Sequence, residues 1–149
     1  MREFGTDLAK QLRPGDFLVL NGQLGAGKTT FAQGLGAGLN IVGTVTSPTF
    51  VVSRIHKSAI NGPELIHIDA YRLESTEQLL DLDLEDHPNS VVVMEWGASF
   101  ISAITDDWLQ LDIERSSEID QADPSAGDRI IEITAFGDRW KELDLTKWL

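Results

Sequence analysis

Apolar residues recur along the chain with two different spacings, which predict an alternation of strands and helices. Short, nearly continuous apolar runs are typical of buried strands, and the clearest is residues 90–95 with its adjacent valines. Apolar residues three and four positions apart predict the buried face of a helix. The predicted strands are residues 16–20, 50–56, 64–69, 90–95, 108–114 and 129–135, and the predicted helices are residues 2–12, 28–39 and 75–82.

This order of elements predicts an α/β fold with a mixed, mostly parallel sheet flanked by helices. Valine-rich runs are typical of parallel strands that are covered on both faces. With 149 residues the chain has the length of a single domain, and neither an internal repeat nor a linker divides it. Residues 115–128 are predicted to form a flexible loop between the last two strands.

Residues 22–29, with the sequence GQLGAGKT, match the pattern G-x-x-x-x-G-K-[ST] of a phosphate-binding loop. The loop stands between a predicted strand and a predicted helix, as the pattern requires, and therefore indicates a P-loop NTPase-like fold. Gly25 and Gly27 permit a tight turn that points backbone N–H groups inward. Lys28 supplies positive charge for the β- and γ-phosphates, and Thr29 offers a hydroxyl to Mg²⁺. The residues predicted to bind nucleotide in this segment are Leu24, Gly25, Ala26, Gly27, Lys28, Thr29 and Thr30.

Two predicted strands end in a carboxylate, Asp69 in one and Glu95 in the other. A phosphate loop needs a carboxylate for Mg²⁺ and a group that positions the attacking oxygen, and ligands gather at the carboxyl ends of strands in α/β sheets. A lone acid at such a place is more often a helix cap or a solvated group. Next to a phosphate loop, a role in metal binding or hydrolysis is favoured instead. We therefore predict that Thr29 and Glu95 bind Mg²⁺ and that Asp69 orients water or the outer metal shell. The alternative, in which Asp69 binds the metal and Glu95 orients water, stays open. Together with Lys28, the two acids are the candidate catalytic residues.

Two neighbours of these acids have more than one interpretation. His67 lies two residues before Asp69 and shares its face on a strand, so it either orients that carboxylate or is a buried histidine with its own partner. Trp96 follows Glu95 and either packs on the nucleotide base or lies in the core.

The composition of the chain disfavours several kinds of partner and excludes some kinds of site. The chain has 24 Asp plus Glu against 12 Lys plus Arg, a net charge of −12, which disfavours autonomous binding of RNA or DNA. Residues 74–86 carry six acids and neither Lys nor Arg, which predicts either a solvated surface or a docking face for a basic protein. Cysteine is absent, which excludes disulfides and thiolate metal sites. The sequence has neither a membrane-spanning apolar stretch nor an apolar leader, so we expect a cytoplasmic protein.

Taken together, the motifs resemble those of the TsaE (YjeE) family in order and approximate spacing. The matching segments are the phosphate loop and its extension to residue 31, SPTF at 47–50, HIDAYRL at 67–73 and EW at 95–96. The phosphate loop alone is common to very many proteins, whereas its combination with the other three segments is specific.

The resemblance implies a bacterial ATPase that uses ATP and Mg²⁺ and acts with TsaB and TsaD in making threonylcarbamoyladenosine on ANN-decoding tRNAs. In that family the ATPase is not the transferase: it resets the TsaB–TsaD complex between turnovers, and the partners hold the tRNA. By the same resemblance, Lys28 and Thr29 bind phosphate and magnesium, and Asp69 and Glu95 support the metal and hydrolysis. Arg129 contacts the nucleotide, and residues 46–49 form a nucleotide-sensing switch.

Three other functions remain as alternatives. A small-molecule or nucleotide kinase would share the loop and the sheet, but would need a basic lid, for which the sequence has no convincing candidate. A GTPase would carry an Asn-Lys-x-Asp segment, which is absent from the sequence. A nucleotide-gated binding module without enzymatic activity overlaps with the favoured interpretation.

Overall fold

The computed structural model describes residues 1–23, 25, 27–46, 48, 52–115 and 129–141. The strands are β1 (Phe17–Gly22), β2 (Ser53–His56), β3 (Glu64–Asp69), β4 (Ser90–Glu95), β5 (Trp108–Arg115) and β6 (Arg129–Phe136). The helices are α1 (Arg2–Ala9), α2 (Lys28–Gly38) and α3 (Thr76–Leu80), with short 3-10 turns between them. In this part of the chain, no helix is both long enough and apolar enough to cross a membrane.

The strands form one six-stranded sheet in the order β2-β3-β4-β1-β5-β6. The central strand β1 is parallel to both β4 and β5, and β4 is parallel to β3. The outer strands β2 and β6 are antiparallel to their neighbours. The predicted α/β fold with a mixed, mostly parallel sheet is therefore confirmed. We call the edge where β1, β3, β4 and β5 end the carboxyl edge, and the edge where they begin the amino edge.

The strand register brings the two predicted acids side by side. Asp69 at the end of β3 is opposite Glu95 at the end of β4, and Glu95 is in turn opposite Leu20 of β1. Since β1 continues into the phosphate loop, both carboxylates lie at the carboxyl edge next to that loop.

Each face of the sheet has its own apolar layer, as expected for parallel strands covered on both sides. On one face, Leu18, Leu20 and Val93 pack with Phe31 and Leu35 of α2, and α1 packs outside α2. On the other face, Val19, Val92 and Met94 pack with Leu79 of α3 and Ile101 of a 3-10 turn. The second face is thus covered by much shorter elements than the first.

Glycines allow α1 and α2 to approach each other closely. A Cβ atom on Gly34 would overlap the backbone carbonyl of Arg2, and one on Gly5 would overlap the carbonyl oxygen of Phe31. Thr6 Oγ1 also donates to the carbonyl oxygen of Gly34 at 3.0 Å. Gly34 weakens α2 by propensity alone, but here it serves backbone-to-backbone packing.

Some element boundaries differ from the predictions for local reasons. The predicted helix at 2–12 ends at Ala9. The predicted helix at 75–82 is shortened to α3. The Ser75 side chain caps its start, and Asp83 adopts a left-handed conformation with φ 52°. Arg115 ends β5 rather than opening the predicted flexible loop. The rest of that loop, 116–128, lies outside the described residues, as do residues 50 and 51 of the predicted second strand.

A buried ion pair that the sequence did not predict joins distant parts of the chain. Arg139 donates from Nε and Nη2 to the two carboxylate oxygens of Asp16 at 2.8 and 2.9 Å, and also to the carbonyl oxygen of Gln11 at 3.0 Å. Asp16 is only 4% exposed. This bidentate pair fixes the last described turn of the chain against the turn that enters β1.

The contact between α1 and α2 predicts that replacing a glycine by alanine destabilises the protein, whereas helix propensity alone predicts that it stabilises it. We expect Gly34→Ala to lower the free energy of unfolding by about 1–3 kcal/mol, because the added methyl must displace backbone. At an exposed helix position the same change would raise it by about 1 kcal/mol. Chemical denaturation measures the difference, with Ala37→Gly on the exposed face of α2 as the control for propensity. A more stable Gly34→Ala variant would contradict the packing described here.

Candidate functional site

The phosphate loop connects the central strand to α2, and its glycines have the backbone conformation that the motif requires. Gly25 has φ 81° and Gly27, the N-cap of α2, has φ 111°. These angles lie in the left-handed region, where a side chain is strained even with open space around it. Leu24 and Ala26, which are also predicted to contact nucleotide, lie outside the described residues.

The first turn of α2 forms the floor of the site. Phe31 N donates to the carbonyl oxygen of Gly27 at 2.9 Å, so the N–H groups of the three preceding residues have no acceptor within the helix. Thr29 is partly exposed and Thr30 is exposed at this end. Unpaired N–H groups and the positive end of the helix dipole together attract an anion such as phosphate.

Lys28 is buried at the centre of the loop. Its side chain is 6% exposed, and Nζ donates to the carbonyl oxygens of Gly22 and Gln23 at 2.5 and 3.1 Å. Burial lowers the pKa of the ammonium, while the negative charges of Glu95 and Asp69 oppose that shift. The loop therefore holds a positive charge in place next to two carboxylates.

Trp96 covers this lysine. The centroid of its ring lies 4.5 Å from Lys28 Nζ, within the range of a cation–π contact, and Tyr71 packs against it with a centroid distance of 5.6 Å. Trp96 has φ 62°, a strained conformation for a bulky residue. It is 37% exposed, so the core position considered for it is wrong, while its contact with a nucleotide base stays a prediction. No pattern in the sequence predicts the contacts of the Trp96 ring with Lys28 and Tyr71.

Glu95 is held by His67. The carboxylate is almost fully buried, and His67 Nε2 donates to Glu95 Oε2 at 2.7 Å. His67 Nδ1 is buried without a hydrogen-bond partner among the described residues, so the tautomer with its proton on Nε2 fits the site. Of the two interpretations of His67, the buried histidine with its own partner is confirmed, and orientation of Asp69 is wrong, because the hydrogen bond crosses to Glu95 on the neighbouring strand.

Asp69 is less buried and has a local structural role. Its Oδ1 accepts a hydrogen bond from Tyr71 N at 3.0 Å and so caps the 3-10 turn that follows β3. The capping role considered for an acid at this position is confirmed. Its other carboxylate oxygen accepts no hydrogen bond from the residues that the structure describes, so capping is compatible with a role in the site.

The donor set at the carboxyl edge fits a magnesium ion. Thr29 offers a hydroxyl and the two acids offer carboxylate oxygens, the ligands that Mg²⁺ prefers. Within the described ranges, no group of three or more His, Cys, Asp or Glu side chains is arranged to hold a metal ion. Mg²⁺ in nucleotide sites takes one or two carboxylates and completes its shell with phosphate oxygens and water, so a pre-built protein cage is not needed.

The remaining predicted contacts are only partly described. Arg129 begins β6 opposite Arg115, near the carboxyl edge and two strands away from β1. The Arg129 side chain is outside the described part of the structure, so its contact with nucleotide stays a prediction. Ser47 and Thr49 of the predicted switch are likewise outside it.

Comparison with protein families supports the resemblance seen in the motifs. The family model "Threonylcarbamoyl adenosine biosynthesis protein TsaE" matches residues 1–123. A relative from Streptomyces coelicolor, named tRNA threonylcarbamoyladenosine biosynthesis protein TsaE, is 47% identical over 148 residues, which is 98% of this chain and 97% of the relative. The protein of the same name from Bacillus subtilis is 36% identical over 131 residues, which is 88% of this chain and 77% of that protein.

A solved structure gives the same result for the fold. The crystal structure of YdiB from Bacillus subtilis matches with a TM-score of 0.64 and 31% sequence identity, and the match covers 95% of this chain and 84% of YdiB. Sequence and structure thus agree over nearly the whole length of the chain. The chain belongs to the TsaE family, which is involved in tRNA threonylcarbamoyladenosine biosynthesis.

Proposed function

We propose that this chain binds ATP with Mg²⁺ in the phosphate loop and hydrolyses it as an accessory subunit of TsaB and TsaD. The observation that carries the proposal is the buried ammonium of Lys28, held between β1 and α2 next to the strand ends that carry Asp69 and Glu95. A positive charge and open N–H donors beside two carboxylates suit a triphosphate with its metal ion.

In this proposal the phosphate loop binds the β- and γ-phosphates. The N–H groups of the loop and of the first turn of α2 donate to phosphate oxygens. Lys28 Nζ exchanges its carbonyl acceptors for phosphate oxygens, and the negative charge of the ligand offsets the cost of burying the ammonium. Trp96 keeps water away from that contact, which strengthens it.

Hydrolysis requires an oriented water molecule opposite the leaving ADP. The water oxygen bonds to the γ-phosphorus while the bond to the β,γ-bridging oxygen breaks, and the proton that the water loses passes to a phosphate oxygen or to solvent, giving ADP and inorganic phosphate. Mg²⁺, when bound, stabilises the negative charge on the phosphate oxygens. Thr29 and Glu95 would hold it, His67 would fix the direction of the Glu95 carboxylate, and Asp69 would orient water or the outer metal shell. The exchanged assignment of the two acids remains the alternative.

Family membership and the charge of the chain support the proposed partner role. A subunit with a net charge of −12 is poorly suited to hold tRNA itself, so TsaB and TsaD would hold it. ATP hydrolysis by this chain would return the TsaB–TsaD complex to its starting state after each turnover. Such a subunit would act in the cytoplasm.

Calorimetry with ATP and Mg²⁺ tests the site directly. We expect the wild-type chain to bind Mg·ATP and Lys28→Ala to bind it about tenfold more weakly or worse, because a charge-assisted contact to phosphate is lost. Phosphate release should rise when TsaB and TsaD are added to the wild type and should stay at background for Lys28→Ala.

Two results would contradict this proposal. Equal affinity of Lys28→Ala and the wild type for Mg·ATP would remove the loop from nucleotide binding. Transfer of the γ-phosphate to an added metabolite, without free phosphate, would support the kinase alternative instead.

Isosteric variants of the two acids separate their roles. Glu95→Gln keeps an acceptor for His67 and Asp69→Asn keeps one for Tyr71 N, so both should fold normally. We expect each variant to hydrolyse ATP about tenfold more slowly or worse, because charge at the metal is lost. Whichever acid binds the metal, its variant should also need more Mg²⁺ for half-maximal activity. We expect this higher Mg²⁺ requirement for Glu95→Gln.

The exposed Glu132→Gln on β6 serves as the matched control, since it removes one charge elsewhere on the chain. A higher Mg²⁺ requirement for Asp69→Asn alone would exchange the two assignments. Normal turnover in both variants would exclude the acids from hydrolysis.

The contact between His67 and Glu95 predicts that ATP hydrolysis depends on whether residue 67 can donate a hydrogen bond. We expect His67→Ala to lower ATP hydrolysis by about tenfold or more, as is typical when a residue that orients a metal ligand is lost. His67→Gln, which retains an N–H donor, should recover part of the activity. Thermal unfolding reports any loss of stability separately. Equal activity of the two variants would show that the hydrogen bond to Glu95 has no positioning role.

A further inference from the structure

Two histidines on neighbouring strands each bury a ring nitrogen that has no hydrogen-bond partner in the part of the chain that the structure describes. One is Nε2 of His56 at the end of β2, and the other is Nδ1 of His67 inside β3. The other nitrogen of His67 is used, since it donates to Glu95. A buried polar atom without a partner costs free energy, so two such atoms on adjacent strands indicate a contact that both can share.

The strand register places the two histidines on the same face of the sheet. In the antiparallel pair of β2 and β3, His56 is opposite Leu65, and Arg54 is opposite His67. Residues directly opposite share a face, as do residues two positions apart on one strand. His56 and His67 are therefore diagonal neighbours, about 7–8 Å apart in a regular sheet and within reach of aromatic side chains. Leu65 belongs to the apolar layer that packs with α2, so the histidines lie on that face.

These side chains form a row that reaches the nucleotide site. His56 on β2, His67 on β3 and Glu95 on β4 follow one another across three adjacent strands, and the charge of Glu95 acts on Lys28. His56 is the outermost member of the row, on the edge strand. It lies one hydrogen bond further from the candidate metal site than His67 does.

The environment of His56 favours its neutral ring. Burial lowers the pKa of the imidazolium, and the neighbouring His67 and Arg54 lower it further. A neutral imidazole has one N–H donor and one acceptor nitrogen. The tautomer of His56 with its proton on Nε2 has the donor that Nδ1 of His67 lacks. The two nitrogens are not bonded to each other in this structure, so a rotation of the His56 ring or one bridging water molecule completes the contact.

We propose that His56 is a positioning residue whose Nε2–H, directly or through one water molecule, satisfies His67 Nδ1 and so fixes the ring that donates to Glu95. The proposal rests on the proposed function, because the direction of the Glu95 carboxylate matters for hydrolysis of Mg·ATP. A histidine that is bonded at both nitrogens keeps its tautomer and its orientation. His56 itself contacts neither nucleotide nor metal in this arrangement and acts on the reaction through His67.

Nitrogen-15 NMR of the imidazole rings tests the contact without any nucleotide. The chain has three histidines, so the signal lost in each single variant assigns it. In the wild type we expect His67 to carry its proton on Nε2 and to show Nδ1 as a hydrogen-bond acceptor. In His56→Leu the Nδ1 signal should move to the position of an unbonded nitrogen, whereas His56→Gln, which keeps an N–H donor, should retain most of the wild-type shift. The same Nδ1 signal in His56→Leu and the wild type would overturn the contact.

ATP hydrolysis with TsaB and TsaD present tests whether the contact matters for the reaction. We expect His56→Leu to lower kcat by about threefold to tenfold, less than the loss of His67 itself, because His56 is one hydrogen bond further from the metal. Affinity for ATP without Mg²⁺ should stay at the wild-type value, and His56→Gln should recover most of kcat. Equal losses in the two variants would overturn the need for a donor at residue 56.

His87→Leu is the matched control, since it removes another half-buried histidine near the amino edge. Its kcat should equal that of the wild type. Thermal unfolding is measured for every variant. If His56→Leu does not fold, His56→Phe, which keeps a planar ring without nitrogen, takes its place.

A double-mutant cycle tests whether His56 acts through His67. In the His67→Ala background, His56→Leu should cause no further loss of kcat, because the ring that it positions is already gone. A full, additive loss would overturn the proposal, since His56 would then act on the reaction by another route.

Failure of this proposal is distinguishable from failure of the proposed function. Wild-type kcat in His56→Leu, with an active wild-type chain, would overturn the positioning role and leave the proposed function intact. A wild-type chain that does not hydrolyse ATP would overturn the proposed function and the positioning role with it. The NMR signal of His67 would still decide whether the two histidines share a hydrogen bond.

Discussion

The buried ammonium of Lys28 is the constraint around which the carboxyl edge is organised. A charged group can remain in such a place only when hydrogen-bond acceptors and opposite charges compensate for lost water. The carbonyl oxygens of Gly22 and Gln23 are the acceptors, and Glu95 and Asp69 are the opposite charges. The parallel arrangement of β1, β4 and β3 is what brings these groups together, since each strand ends at the same edge.

Strands with a continuous apolar run and a polar end were predictable from sequence. The bounds of β3 and β4 match the predicted residues 64–69 and 90–95, because burial on both faces makes the inner positions apolar, with His67 as the one exception. Helix ends were less predictable. Short side-chain caps and one left-handed residue decide where α3 begins and stops, and such local contacts compete with the apolar periodicity that marks a helix.

The composition of the site was predictable, whereas its internal contacts were not. The glycine pattern identifies the phosphate loop, and the acid at the end of each strand identifies Asp69 and Glu95 as candidates. The hydrogen bond from His67 to Glu95 depends on the alignment of β3 with β4, which a single sequence does not encode in any local pattern. The ring of Trp96 over Lys28 depends on a positive φ that is unusual for tryptophan, so propensity rules point away from it.

The ion pair between Asp16 and Arg139 has a consequence for the order in which the chain can fold during synthesis. Asp16 precedes β1, and its partner is made 123 residues later. Until then its carboxylate has no guanidinium to compensate for burial, and β1 also waits for β4 and β5, its neighbours on both sides. The turn before β1 can therefore adopt its final, desolvated position only after Arg139 has been synthesised, and the nascent chain must keep that carboxylate hydrated in the meantime.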